Sequence, residues 1–311
     1  PITLVDGVSS LSNSGVITPE MGGDVIVNGG FDTDSDWVKG TGWSISEGLA
    51  LFDGTSTGNI YQDGVINSNS WYVLEGTKVS GEDSIYFPEV YFGSRGIGNL
   101  NGTIGASTVM TGRSGEGSYL RFTAYTGWSG SIDDISLQPL ALSSLFSTIS
   151  ESSSDKIIST DISMVDKTYA GIVLNLDSMQ DPQNFLIAYH TGGYIKFEKC
   201  IDGVYDTLIS EYEPYTPGAT LKVIKKDNVY KLVYKGVQIG SNQTISDASI
   251  VDNTLQGIFS TYSDNTFDNF KITTNLDGTL ASDGVSERTV TDLQDGISIT
   301  DGNLAFASNK G

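Results

Sequence analysis

Two groups of acidic side chains stand close enough in sequence to suggest acid–base chemistry: Glu82, Asp83 and Glu89, and Glu211 with Glu213. A retaining glycosidase needs two carboxylates about 5 Å apart, one ionised and one protonated. Both groups read better as solvated loop residues than as such a pair. The single histidine, His190, ends the strand-like run Phe185-Leu186-Ile187-Ala188-Tyr189-His190, and Cys200 is the single cysteine. With one of each, the common nucleophile–histidine arrangements and Cys-rich zinc sites have few candidates, and an intrachain disulfide is impossible. Both residues read as structural.

A different chemistry is carried by Tyr119-Leu120-Arg121-Phe122-Thr123-Ala124-Tyr125. In a strand, successive side chains point to opposite faces. If Leu120, Phe122 and Ala124 face a core, then Tyr119, Arg121 and Tyr125 face outward together. Exposed aromatics stack on the C–H face of a sugar ring while polar neighbours read its hydroxyls. A Tyr/Arg patch is also the composition of a protein interface, and packing against another chain is slightly favoured. Trp37, Trp43, Trp71 and Trp128 read as core or turn-packing residues.

The elements that must position these residues are short strands. Glycine occurs 37 times, turn-forming residues are frequent, and segments of helical period are absent. The fold class expected is all-β: two tandem jelly-roll β-sandwich domains with an extended N-terminal arm and a C-terminal β tail. Residues 1–24 form the arm, which would need another surface, such as a second subunit, to lie on. The first sandwich covers residues 25–140, the second 141–275, and residues 276–311 form a hairpin or linker. Each sandwich ends on a similar strand, Ile132-Asp133-Asp134-Ile135 in one and Phe267-Asp268-Asn269-Phe270 in the other. Strict alternation would send Ile132 and Asp134 to one face and Asp133 and Ile135 to the other.

With 38 acidic and 17 basic side chains the chain carries a formal charge of −21. Such a surface repels phosphate, so nucleic acid is not an expected partner. Seven of the 13 lysines fall between Lys196 and Lys235, which reads as protection of strand edges and solvent faces rather than as an anion patch. The N-terminus shows no basic segment leading into an apolar run, and no stretch approaches the roughly 18 apolar residues of a membrane span. Membrane insertion is not expected.

Several spaced motifs of the first domain carry a family resemblance. Val27-Asn28-Gly29-Gly30-Phe31-Asp32, Trp37, Gly42-Trp43-Ser44-Ile45, Gly48-Leu49-Ala50, Gln62 and Ile132-Asp133-Asp134-Ile135-Ser136-Leu137 occur in the order seen in jelly-roll carbohydrate-binding modules, which this region resembles over residues 25–138. Ala170 to Leu174, Asn184 to Ile187, Gly192 to Phe197 and Phe267 to Phe270 resemble a concanavalin-type or laminin G-like sandwich over residues 156–274, without the Glu-x-Asp-x-x-Glu run of the glycosidases of that shape. Modules of the first kind recur in secreted glycan-active enzymes and in structural proteins of tailed bacteriophages. The resemblance implies a structural Ca²⁺ tying first strand to last, at positions matching Asp32 and Asp133, with Asp133 preferred; turn capping by these acids is an equal alternative. It also implies a non-enzymatic bacteriophage virion surface protein, a capsid decoration, fibre or tail-associated component. Such a protein would sit among other virion proteins as a homo-oligomer, with host-surface glycan as a further partner. The alternative is a secreted carbohydrate-binding protein or the binding part of a glycan-active enzyme.

Overall fold

The computed structural model describes residues 16–81 and 88–274 with their side chains. It describes Ile2–Val5, Val8–Leu11, Gly15, Ile297–Thr300 and Asn303–Phe306 by their backbone. Glu82 and Asp83 lie outside the described residues, as do residues 275–296. The chain is all-β, and its strands form four antiparallel sheets plus a separate hairpin, Ile297–Thr300 with Asn303–Phe306.

The four sheets stack as layers. The outermost contains, in order, Arg95–Asn99, Glu89–Phe92, Leu120–Ala124, Gly58–Gln62 and Val38–Lys39. Beneath it lie Ser107–Arg113, Trp71–Gly81, Gly130–Leu140, Leu49–Phe52 and Trp43–Ser46. Between these two layers is an apolar core of residues such as Phe31, Trp37, Phe92, Phe122, Trp128 and Ile132. The third layer runs Phe146–Ser150, Leu255–Ser260, Ala170–Leu176, Phe185–His190, Tyr194–Ile201 and Val204–Tyr212. The fourth contains Thr266–Thr274, Lys156–Ser163, Ala219–Lys226, Val229–Tyr234 and Val237–Thr244, extended at one edge by Val8–Leu11 and Ile2–Val5. Ile158, Ile172, Phe197, Leu221, Phe267 and Phe270 belong to the core between the third and fourth layers.

A third core joins the two sandwiches. Alternation along Trp71-Tyr72-Val73-Leu74 sends Tyr72 and Leu74 into the first sandwich. Trp71 and Val73 then point outward, onto Val173, Phe185, Ile187, Tyr189 and Phe259 of the second. The central strands of the third layer are therefore covered on both faces, and every residue of Ala170–Leu176 and Phe185–His190 is buried. Covered strands of this kind read as continuous apolar runs, which Ile172-Val173-Leu174 and Phe185-Leu186-Ile187-Ala188 supply. The four tryptophans are buried as expected, but Trp71 serves the joint between sandwiches instead of either interior.

The N-terminal arm finds a surface to lie on within its own chain. Val8–Leu11 and Gly15–Val16 pair with Thr266–Thr274, and Ile17 enters the core of the second sandwich. The chain then runs along the closing strand of the first: the Gly22 N–H donates to Pro139 O at 2.8 Å and the Val25 N–H to Leu137 O at 2.9 Å.

The two closing strands share a device that alternation alone misses. In Ile132-Asp133-Asp134-Ile135 both isoleucines are buried in the same core, three residues apart. A regular strand would place them on opposite faces. A bulge at Asp134, whose φ is +53°, restores the inward direction, and its N–H donates to Asp133 Oδ1 at 2.7 Å. Phe267-Asp268-Asn269-Phe270 repeats it: Asn269 has φ +50°, its N–H donates to Asp268 Oδ1 at 2.8 Å, and both phenylalanines face one core. Asp and Asn tolerate this left-handed region better than other side chains do.

Candidate functional site

The outward face of the outermost layer gathers the expected tyrosines and adds others. Leu120, Phe122 and Ala124 are fully buried beneath it, so Arg121 points away from the core as alternation requires. The strand Leu120–Ala124 is central, with Arg121 opposite Tyr61 on one neighbour and opposite Tyr91 on the other. The guanidinium lies 4.1 Å from the Tyr91 ring centroid and 5.4 Å from that of Tyr119. Tyr61 and Tyr119 meet edge to face at 6.3 Å. One row along, Thr123 stands between Asn59 and Glu89.

Glu89 organises the far side of this face. Its Oε2 accepts from Tyr91 Oη at 2.7 Å and from Tyr125 Oη at 2.6 Å. Phenols that donate to a carboxylate resist giving up their protons. The hydrogen bond to Glu89, then burial, then the Glu89 charge raise the Tyr91 phenol above its ordinary value, and the same causes raise Tyr125 much further. Both stay neutral donors through the physiological range. Arg121 Nε and Thr123 Oγ1 are buried at the base of the face and have no hydrogen-bond partner. The sequence pattern pointed to Tyr119, Arg121 and Tyr125. It did not bring in Tyr61, Tyr91 and Glu89, whose outward placement follows from Asn59-Ile60-Tyr61-Gln62 and Glu89-Val90-Tyr91-Phe92 once those strands are known to be neighbours.

Asp32 and Asp133 come within electrostatic reach at the opposite seam of the first sandwich. Burial holds the Asp133 carboxyl above its ordinary range; the hydrogen bond from Asp134 N–H opposes this, and the charges of Asp134 and Asp32 add to it. The Asn28–Phe31 loop packs directly on the bulge, where the Ile135 N–H donates to Gly29 O at 3.0 Å. Gln62 holds the same loop by accepting from Val27 N–H and donating to Val27 O, at 2.9 and 2.8 Å. Among the described residues no three His, Cys, Asp or Glu side chains are grouped to hold a metal. An ion here would have two carboxylates and would complete its shell with carbonyl oxygens and water, ligands that Ca²⁺ accepts.

The other chemistry-bearing residues fall in structural settings. His190 is fully buried against Tyr215 and Tyr234, with Nδ1 accepting from Gly192 N–H at 2.9 Å, and burial pushes it down to about 4. Burial pushes the Cys200 thiol up to about 12, far from a reactive thiolate. Glu213 pairs with Lys235 at 2.5 Å on the second sandwich. At the joint between sandwiches, the buried Glu198 accepts from the buried Arg113 and Tyr189 Oη, each at 2.9 Å, and from Thr207 Oγ1 at 2.9 Å.

No protein-family model matches the sequence, and no curated protein matches it. Solved structures similar to this chain include the carbohydrate-binding module CBM66 from Bacillus subtilis, at 14% identity and a TM-score of 0.34, covering 67% of this chain and 99% of the module. A mutant of the GH43 protein BlXynB from Bacillus licheniformis aligns at 19% identity and TM-score 0.34, over 41% of this chain and 29% of that protein. The CBM2 module of the evolved Dit of Lactobacillus casei BL23 phage J-1 aligns at 6% identity and TM-score 0.21, over 82% of this chain and 96% of the module. TM-scores this low describe no shared site.

Proposed function

We propose that this protein is a non-enzymatic glycan-binding protein and that the outward tyrosine face of its first sandwich is the binding surface. The observation that carries the reading is the arrangement around Arg121. Its guanidinium is flanked by Tyr91 and Tyr119, its Nε has no protein partner, and Glu89 holds two neutral phenols beside it. Aromatic rings give a sugar its stacking surface, and the guanidinium, carboxylate and Asn59 give its hydroxyls donors and acceptors. The groups are fixed before a ligand arrives, so little side-chain entropy is lost on binding.

The test is affinity electrophoresis through gels containing soluble polysaccharides. The wild-type protein should be retarded by at least one of them, and Arg121→Ala should weaken that retardation by about tenfold, the loss of roughly 1.4 kcal/mol of contacts. Equal migration of the two proteins in every gel that retards the wild type would reject the face as the site.

Two finer readings belong to the same proposal. Display on a bacteriophage particle, as a decoration, fibre or tail-associated component among other virion proteins, is supported by the motif resemblance and is tested by mass spectrometry of purified particles. A structural Ca²⁺ held by Asp32 and Asp133 is supported by the like charges crowding Asp133, which a divalent cation would relieve. Calorimetry after chelation should show heat on adding Ca²⁺ to the wild type and none with Asp133→Asn; a silent wild type would remove the ion from the account.

A further inference from the structure

We infer that the cleft between the two sandwiches continues the tyrosine face and takes the acidic group, a carboxylate or a sulfate, of an anionic oligosaccharide, with Lys196 and Arg95 as its cationic contacts. This rests on the glycan reading of that face and adds the ligand class to it.

A cleft of about 510 Å³ is lined by Glu89, Tyr91 and Asn99 from the first sandwich and by Thr191, Tyr194 and Lys196 from the second. Its volume lies within the roughly 300–1,000 Å³ typical of ligand sites, which favour the junctions between domains. Glu89 and Tyr91 belong both to the cleft and to the tyrosine face, so the two surfaces are continuous. At the far rim Tyr194 is 47% exposed and meets the 68% exposed Tyr212 edge to face at 5.6 Å, a second aromatic platform. The joint core holds both walls in place, so the cleft exists before any ligand arrives.

Along Tyr194–Ile201, Ile195 and Phe197 enter the core of the second sandwich, which turns Lys196 toward the first. Among the described residues Lys196 and Arg95 form no salt bridge, whereas the neighbouring Arg113 is matched by Glu198. Burial lowers the Lys196 ammonium; Glu198 opposes this, and the charges of Arg95 and Arg113 add to it. Lys196, Arg95 and Arg113 therefore outnumber the two carboxylates at this point, Glu198 and the cleft-lining Glu89, of which Glu89 already accepts from two phenols, in a chain whose formal charge is −21. A bound anion supplies the missing negative charge, and a neutral sugar does not.

The test uses the full chain in gels containing polygalacturonate, dextran sulfate, dextran or neutral galactan, with polyglutamate as a protein-like polyanion. The wild type should bind polygalacturonate or dextran sulfate at least tenfold more tightly than either neutral polymer, and which of the two is preferred separates carboxylate from sulfate. In the Lys196→Gln, Arg95→Gln double variant that preference should disappear, while retention by neutral polymer and melting temperature stay unchanged. Binding confined to neutral polymers, or a preference for acidic ones that the double variant keeps, would overturn the cleft and leave the tyrosine face standing. Polyglutamate bound as tightly as the acidic polysaccharides would overturn it in favour of a protein ligand. A wild type that binds no polysaccharide would overturn it together with the glycan reading beneath it.

Discussion

Arg121 has aromatic rings 4.1 and 5.4 Å from its guanidinium, and each such contact contributes on the order of 0.5–2 kcal/mol. Glu89 fixes the neighbouring phenols in the same way, by accepting from both. Replacing it by Gln removes the charge that discourages their ionisation. In Glu89→Gln two tyrosines should titrate closer to pH 10 than in the wild type, read from absorbance at 295 nm; an unchanged titration curve would mean that Glu89 does not hold them. His190 gives a second pH dependence, with its sign fixed by burial. Its folded value of about 4 lies below the unfolded 6.5, so the unfolded chain takes up the proton first as pH falls. Stability present above about pH 6.5 is lost toward pH 4, by about 3 kcal/mol. His190→Asn should melt lower at pH 7 and show a flatter decline between pH 6.5 and 4 than the wild type. At this scale the outward set Tyr119, Arg121 and Tyr125 was legible from alternation within one strand. Tyr61, Tyr91 and Glu89 were not, because a single sequence does not say which strands lie side by side.

The bulged closing strands explain why an acidic pair or an Asp-Asn step recurs between two large apolar residues. Ile132 and Ile135, like Phe267 and Phe270, can share a core only if one residue between them leaves the regular strand geometry. Asp134 does so at φ +53°, with its N–H held by Asp133. Asp134→Gly should therefore be tolerated within about 0.5 kcal/mol, while Asp134→Val should cost about 1–3 kcal/mol through left-handed strain on a β-branched residue. Chemical denaturation of the two variants compares them, and equal losses would show that the backbone at 134 is not the constraint. Gly29 is a second such point, since a Cβ there would sit 1.9 Å from Ile135 O. The spacing of apolar residues by three was present in the sequence from the start. Reading it as strict alternation put Ile132 and Ile135 on opposite faces, where the bulge puts them on the same one.

The whole molecule behaves as one stack because the joint between sandwiches is built like an interior. Trp71 donates from Nε1 to Tyr205 Oη at 3.0 Å, the Thr111 and Thr261 hydroxyls meet at 2.6 Å, and the Arg113 guanidinium lies 3.6 Å from the Tyr205 ring while bonding Glu198. A buried ion pair adds little net stability, yet removing one partner leaves an uncompensated charge and costs about 3–5 kcal/mol. Thermal unfolding should be a single transition in the wild type, and Arg113→Ala should lower it and separate the two sandwiches into distinct transitions; two transitions in the wild type would contradict the joint. The two sandwiches were legible from strand spacing. Their fusion was not, although the unbroken apolar runs of the third layer carried the signal: a strand that faces water on one side alternates, and Ile172-Val173-Leu174 does not.

The central claim, that the tyrosine face binds sugar, is tested most directly by profiling the wild type and Arg121→Ala side by side on a glycan array. The account predicts a defined set of glycans bound by the wild type and lost from the variant, with both proteins equally folded. A wild type that binds no glycan, or a variant with the same profile, would contradict it.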